Sequence, residues 1–166
     1  MVAFFVSRIL ADDNEEIERA VQALQQPMTD IKHIEYLNNN EAIAFYEWGQ
    51  EPEHFGHGMF EKRLLGWEFY GGSTYWVDSE MDFGLTFSNL EFSSSTHTDL
   101  ISGIIGHPDI VMVEVETLSG NTYDAEIIEY DAGERFWFLL TDGDNTVGSI
   151  VTGLTEDSEV ITQEGI

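Results

Sequence analysis

The sequence predicts an α+β fold: an N-terminal helix packed on an antiparallel sheet of about four strands in residues 1–80, then a small antiparallel β-sandwich in residues 81–166, with the boundary inside 78–98. Three observations carry this expectation. A single segment near the start has a helical apolar period with end signals. From residue 31 the apolar residues alternate with polar ones. Beyond residue 81 the apolar runs are short and separated by turn residues at regular spacing, the pattern of a sandwich.

The helix is read from "DNEEIERAVQALQQP". Asp13 is placed as its N-cap and Glu16 as the capping-box partner, while Ile17, Ala20, Val21 and Leu24 form a stripe at i, i+3, i+4 and i+7. Glu15 stands four residues before Arg19, and Pro27 ends the segment. The preceding "VAFFVSRIL" reads two ways. Val2, Phe5, Val6 and Ile9 have helical spacing, yet the β-branched and aromatic content suits a strand.

After the helix the period becomes that of strands. "IKHIEYL" (31–37) and "EAIAFYEWG" (41–49) flank the turn "NNN", and "GHGMFEKRLL" (56–65) meets "WEFYGGSTYWV" (67–77) around Gly66. Such a sheet needs the helix to cover its apolar face, so Ile17, Val21 and Leu24 are expected in the core. In the second half "FGLTFSNL" puts Phe83, Leu85 and Phe87 on one face. Further strands are expected at 99–106, 110–117, 122–130, 135–141, 146–154 and 159–163. The serine-rich 91–99 is the leading linker candidate and 78–82 its rival.

The stretch "GERFWFLLTDGDNTVG" (133–148) poses the question of a ligand strip with a metal loop against a strand with its turn. Phe136, Phe138 and Leu140 alternate with Arg135, Trp137, Leu139 and Thr141, so both sides are apolar and a central strand is expected. Arg135 is then expected to lie along apolar surface and pair with a carboxylate, Glu126 or Glu114. A calcium loop opening at Asp142 would require glycine and glutamate where Val147 and Gly153 stand, so a hairpin turn is preferred.

Six Lys and Arg against 32 Asp and Glu give a formal net charge of −26, which repels nucleic-acid backbones and anionic membranes. The absence of cysteine excludes disulfides, thiolate zinc sites, iron–sulfur clusters and cysteine nucleophiles. Val2 to Val6 is too short to span a bilayer and lacks the basic region of a signal peptide. A soluble, cytoplasmic chain is the default expectation, with export after signal removal as the alternative.

The chemically suggestive segments are few. "EPEHFGHG" (51–58) offers His54, His57 and Glu53 as a metal set, although no third fixed ligand and base follow, and a hairpin loop is the first reading. "SSSTHTD" (93–99) has serine, histidine and aspartate in a linker-like composition. No nucleophile elbow, P-loop or dinucleotide fingerprint occurs. One face of the aromatic-rich sheet must meet the helix. The other is covered by the second half or exposed as a binding surface, making Trp48, Trp67, Tyr70 and Trp76, with Arg135, the candidate ligand or partner residues.

Taken together, "GHGMFEKRLLGWEFYGG", "DLISGIIGHPDIVMVEVETLSGNTYDAEIIE" and "RFWFLL" resemble a recurring arrangement in uncharacterised two-part proteins of spore-forming Gram-positive bacteria. The resemblance spans most of residues 12–160 and implies a helix-and-sheet segment before a β-module. It implies no activity and no catalytic residues.

The function expected from the residues is a non-enzymatic acidic binding or interaction module. One alternative is an acidic inhibitor or immunity protein that neutralises a basic partner. The other is a metal-dependent hydrolase using His54 and His57. No cofactor is expected, a divalent cation being the minor possibility; the expected partner is a basic protein, with neither nucleic acid nor membrane insertion.

Overall fold

The computed structural model describes residues 2–26, 29–49, 54–78, 81–92, 95–144 and 146–166, with side chains from Asp12 onward. It is an α+β chain built mainly of antiparallel sheet, and it divides into two compact units, Met1–Trp76 and Val77–Ile166.

The first unit opens with one helix, α1 (Val2–Gln22), so the ambiguous stretch before Asp13 is helical. The expected N-cap is corrected accordingly. Asp13 lies inside the helix, and its carboxylate accepts hydrogen bonds from Lys62 Nζ and, at 3.1 Å, from Trp67 Nε1. No acid occupies the helix's first turn, and Arg19 Nε donates to the Glu15 carbonyl oxygen at 3.1 Å. Pro27, expected to end the helix, lies outside the described residues. Four strands follow, β1 (Asp30–Asn38), β2 (Glu41–Trp48), β3 (His54–Arg63) and β4 (Gly66–Trp76), paired antiparallel in chain order.

Register decides which side chains meet the helix. Ala42 is opposite both Tyr36 and Phe60, and Ala44 is opposite Ile34, so alternate residues of three strands share one face. Against that face α1 places Ile17 and Val21, forming a core with Ala42, Ala44, Tyr46, Phe60 and Trp67. Leu24, expected with them, packs at its edge. Ala42 and Ala44 are the small members of this core and Tyr46, Phe60 and Trp67 its large rings. Residues of the other face, Ile43, Phe45, Phe55 and His57, are buried as well.

The described residues of the second unit form eight strands in two four-stranded sheets, so the described residues of the chain make three sheets. In chain order they are β5 (Thr86–Asn89), β6 (Asp99–Ile105), β7 (Met112–Glu116), β8 (Thr122–Asp124), β9 (Glu126–Glu129), β10 (Arg135–Thr141), β11 (Ile150–Leu154) and β12 (Val160–Gly165). One sheet has the order β5-β6-β10-β9 and the other β12-β11-β7-β8. The single strand expected over 122–130 is two strands. Ala125 donates its amide to the Val113 carbonyl oxygen at 2.9 Å, and beyond it the chain leaves the pairing with β7 for that with β10. Both sheets send side chains into one core: Ile101, Trp137 and Leu139 from one, Val113, Val115 and Val151 from the other. Phe83 joins this core, with Leu85 and Phe87 packed against it, the face assigned from their alternation.

Candidate functional site

Strand register assembles one cluster from the candidate residues. Trp48 ends β2, His54 opens β3 and Trp76 ends β4; Trp48 is opposite His54 and His54 opposite Trp76, so three rings stand abreast at one end of the sheet. Trp48 and His54 stack at 3.9 Å between centroids and 5°, and Trp76 meets His54 edge-on at 5.0 Å and 86°. Trp76 is 58% exposed, whereas the Trp48 Nε1 is buried and has no hydrogen-bond acceptor among the described residues. The cluster offers the exposed indole of Trp76, a surface suited to flat or cationic groups.

The other candidates of this unit are dispersed. Trp67 is buried beneath α1, with its N–H on Asp13 and Lys62 Nζ 5.7 Å from its ring centroid, so it is a core residue. Tyr70 stands exposed beside the register shift between β3 and β4. His54 and His57 do not form a pair. The segment expected as a loop is strand from His54 on, and an odd spacing in a strand sends two side chains to opposite faces. His57 is instead fully buried near Phe45, with ring centroids 6.2 Å apart, and burial lowers its pKa to about 4. Glu53, the third member of that metal set, lies outside the described residues.

In the second unit Arg135 takes a role other than the carboxylate pairing expected of it. Its Nη1 donates to the Ile110 carbonyl oxygen at 2.6 Å and its Nη2 to that of His107 at 2.9 Å, which fastens the 107–110 turn onto β10. The planar guanidinium presents two donors to the two carbonyls at once. Arg135→Met is therefore expected to lower stability by about 2 kcal/mol, since both acceptors lose a charged donor. Urea denaturation measures the loss; an unchanged midpoint would mean the fork is dispensable.

The loop after β10 is held on both sides. Asp142 meets His97 Nδ1 at 2.5 Å, and the Gly143 amide donates to Thr98 Oγ1 at 3.0 Å. Asp144 accepts hydrogen bonds from Thr117, Ser119, Asn121 and Tyr123 at 2.9–3.2 Å, and these bonds, led by the Asn121 amide and then the Tyr123 hydroxyl, hold its carboxyl below the usual range. The arrangement clamps the β7–β8 turn to the β10–β11 loop. Sequence reasoning overlooked it, although the four donors recur at every second position in "TLSGNTY". That period puts them on one side of the hairpin.

Comparisons with family models, curated proteins and solved structures give no match. Among the described residues, no helix is long and apolar enough to cross a membrane.

Proposed function

We propose that this chain is a non-enzymatic interaction module whose carboxylate surface engages a basic protein. The observation that carries this reading is how the basic residues are used. Lys32 is paired with Asp30 at 2.9 Å and Glu47 at 3.2 Å, Lys62 with Asp13, and Arg63 with Glu61. Arg135 is spent on backbone carbonyls. Most of the 32 acids thus have no cation available within the chain, and many face solvent, among them Glu126, Glu129, Glu156, Asp157 and Glu159. Such a surface attracts a cationic partner over distances of a Debye length, roughly 10 Å at 0.1 M salt. An inhibitor or immunity protein acting on a basic enzyme is the form of this reading in which the partner is catalytic. Within the same reading the second unit is a β-sandwich, its two sheets sharing one apolar core.

The experiment is a pull-down at low ionic strength. A basic protein retained there and released by added salt supports the reading; recovery of nothing basic overturns it. The free chain carries its own signature. Self-repulsion among like charges weakens the compact state, so added sodium chloride is expected to raise the melting temperature by several degrees, and thermal denaturation in dilute and in half-molar salt checks this. An indifferent melting temperature would mean that the carboxylates are too dispersed to act together.

A further inference from the structure

Among the described residues β4 is the last strand of its sheet, paired with β3 on one side and with no strand on the other. A strand edge carries a row of backbone N–H and C=O groups that a further strand can pair, and folds ordinarily blunt it with shortness, charge, proline or broken register. The other edges of this chain are blunted in that way. β1 carries Asp30, Lys32 and Glu35 and two register shifts, and β5, β8 and β9 have four residues or fewer. β12 includes Glu164 and a register shift against β11.

β4 lacks these devices. It has 11 residues, more than any other described strand, and one charged side chain, Glu68. Its register shifts once, between Met59 and Phe60 of β3, and beyond that point Gly71–Trp76 pairs with β3 without interruption. This stretch, "GGSTYW", is uncharged, and Gly71, Gly72 and Ser73 have little or no side chain to cover the backbone. Gly72, Thr74 and Trp76 are exposed. Six residues is an ordinary length for a paired strand.

Two side chains select the kind of strand that fits. Glu68 is exposed and enters no ion pair among the described residues, whereas Glu61 opposite it holds Arg63. At the other end of β4 the indole of Trp76 stands exposed, a ring face open to a cation. β3 covers the distance between the two positions with His54 to Glu61, so an extended segment of about eight residues reaches both.

We propose that β4 is a docking edge that takes an extended segment of a basic protein, added to the sheet as a further strand, with one basic side chain on Trp76 and another on Glu68. The assignment rests on the function proposed above and names its contact. In such pairing the main chain supplies affinity and the flanking side chains supply selectivity. A second copy is the competing occupant, since an antiparallel edge can pair with itself about a two-fold axis. β4 contains no lysine or arginine to meet Glu68, and each copy brings a net charge of −26, so charge favours the basic strand.

The test uses the intact protein and a synthetic peptide of alternating threonine and valine with lysine at each end. Two versions of it are N-methylated at alternate residues, one at the odd and one at the even positions. Successive N–H groups of a strand point to opposite sides, so only one version is blocked. The expected result is binding of the parent peptide, a loss of about tenfold or more in one N-methylated version alone, and slowed amide exchange in Gly71–Trp76. Trp76→Ala is expected to weaken binding about tenfold with an unchanged melting temperature, and Glu68→Gln to weaken it less and flatten its salt dependence. Equal binding of the two N-methylated versions would overturn strand pairing and leave the carboxylate-surface reading standing. Failure of the parent peptide to bind would overturn the edge assignment, and the low-salt pull-down decides the carboxylate surface separately. A peptide with glutamate at each end bound as tightly would overturn the basic occupant. Dimerisation in sedimentation that Thr74→Lys abolishes would give the edge to a second copy and overturn the proposal.

Discussion

Trp137→Ala is expected to remove about 3–5 kcal/mol of stability, a large share of the roughly 5–15 kcal/mol that a domain possesses. Trp137 is fully buried in β10, an inner strand paired on one side with β6 and on the other with β9. Its indole stacks on Phe83 at 5.4 Å and 10°, and its Nε1 donates to the Gly84 carbonyl oxygen at 3.3 Å. Truncation would leave a cavity between the two sheets and an unfilled acceptor on Gly84. The same contact is exposed to attack from the facing strand. A Cβ at Gly103 would lie 1.6 Å from the Gly84 oxygen and 2.8 Å from Trp137 Nε1, so Gly103→Ala must displace the 83–85 segment or the indole. Both variants should unfold at much lower urea concentration, and near-wild-type midpoints would show that this core yields easily. The result also bears on function, because a ring that serves ligand binding would cost affinity when removed and leave stability largely intact.

Acid is expected to weaken the first unit through His57, by about 3 kcal/mol between pH 6.5 and pH 4. Burial of the imidazole, 0% exposed, holds its pKa down to about 4, against 6.5 when solvated. The sign follows directly. Between those two values the unfolded chain binds a proton that the folded chain refuses, so stability falls as pH decreases through the window and is fully present above it. Carboxylates titrate toward the lower end of the same range, and the informative quantity is the difference between wild type and His57→Gln. The variant cannot titrate there, and its stability should decline with a shallower slope. Parallel slopes in urea titrations across the window would mean that His57 is protonated in the folded state as readily as in the unfolded one.

Much of the fold was legible in the residues. The helical stripe through Ile17 and Val21, the two hairpins around the asparagine turn and Gly66, and the two-sided apolar strand Arg135–Thr141 all follow from local period and turn chemistry. Less of the candidate site could be read. Nearness in sequence suggests that His54 and His57 act together, whereas strand geometry separates them onto opposite faces. For Arg135 a strand position among acids suggests Glu126 or Glu114, whereas its acceptors are the carbonyls of a turn 25 and 28 residues away.

By itself the sequence determined the element types, the one-sided helix and the charge of the molecule, because each depends on residues within a few positions of one another or on a simple sum. Tertiary structure alone decided the rest: that Trp48, His54 and Trp76 stand side by side, that Asp13 works inside the helix, that 122–130 splits between two sheets, and that Leu64 and Leu65 stand exposed. The physical reason is that strand register and packing are settled by burial between segments far apart in the chain, which a local pattern does not encode.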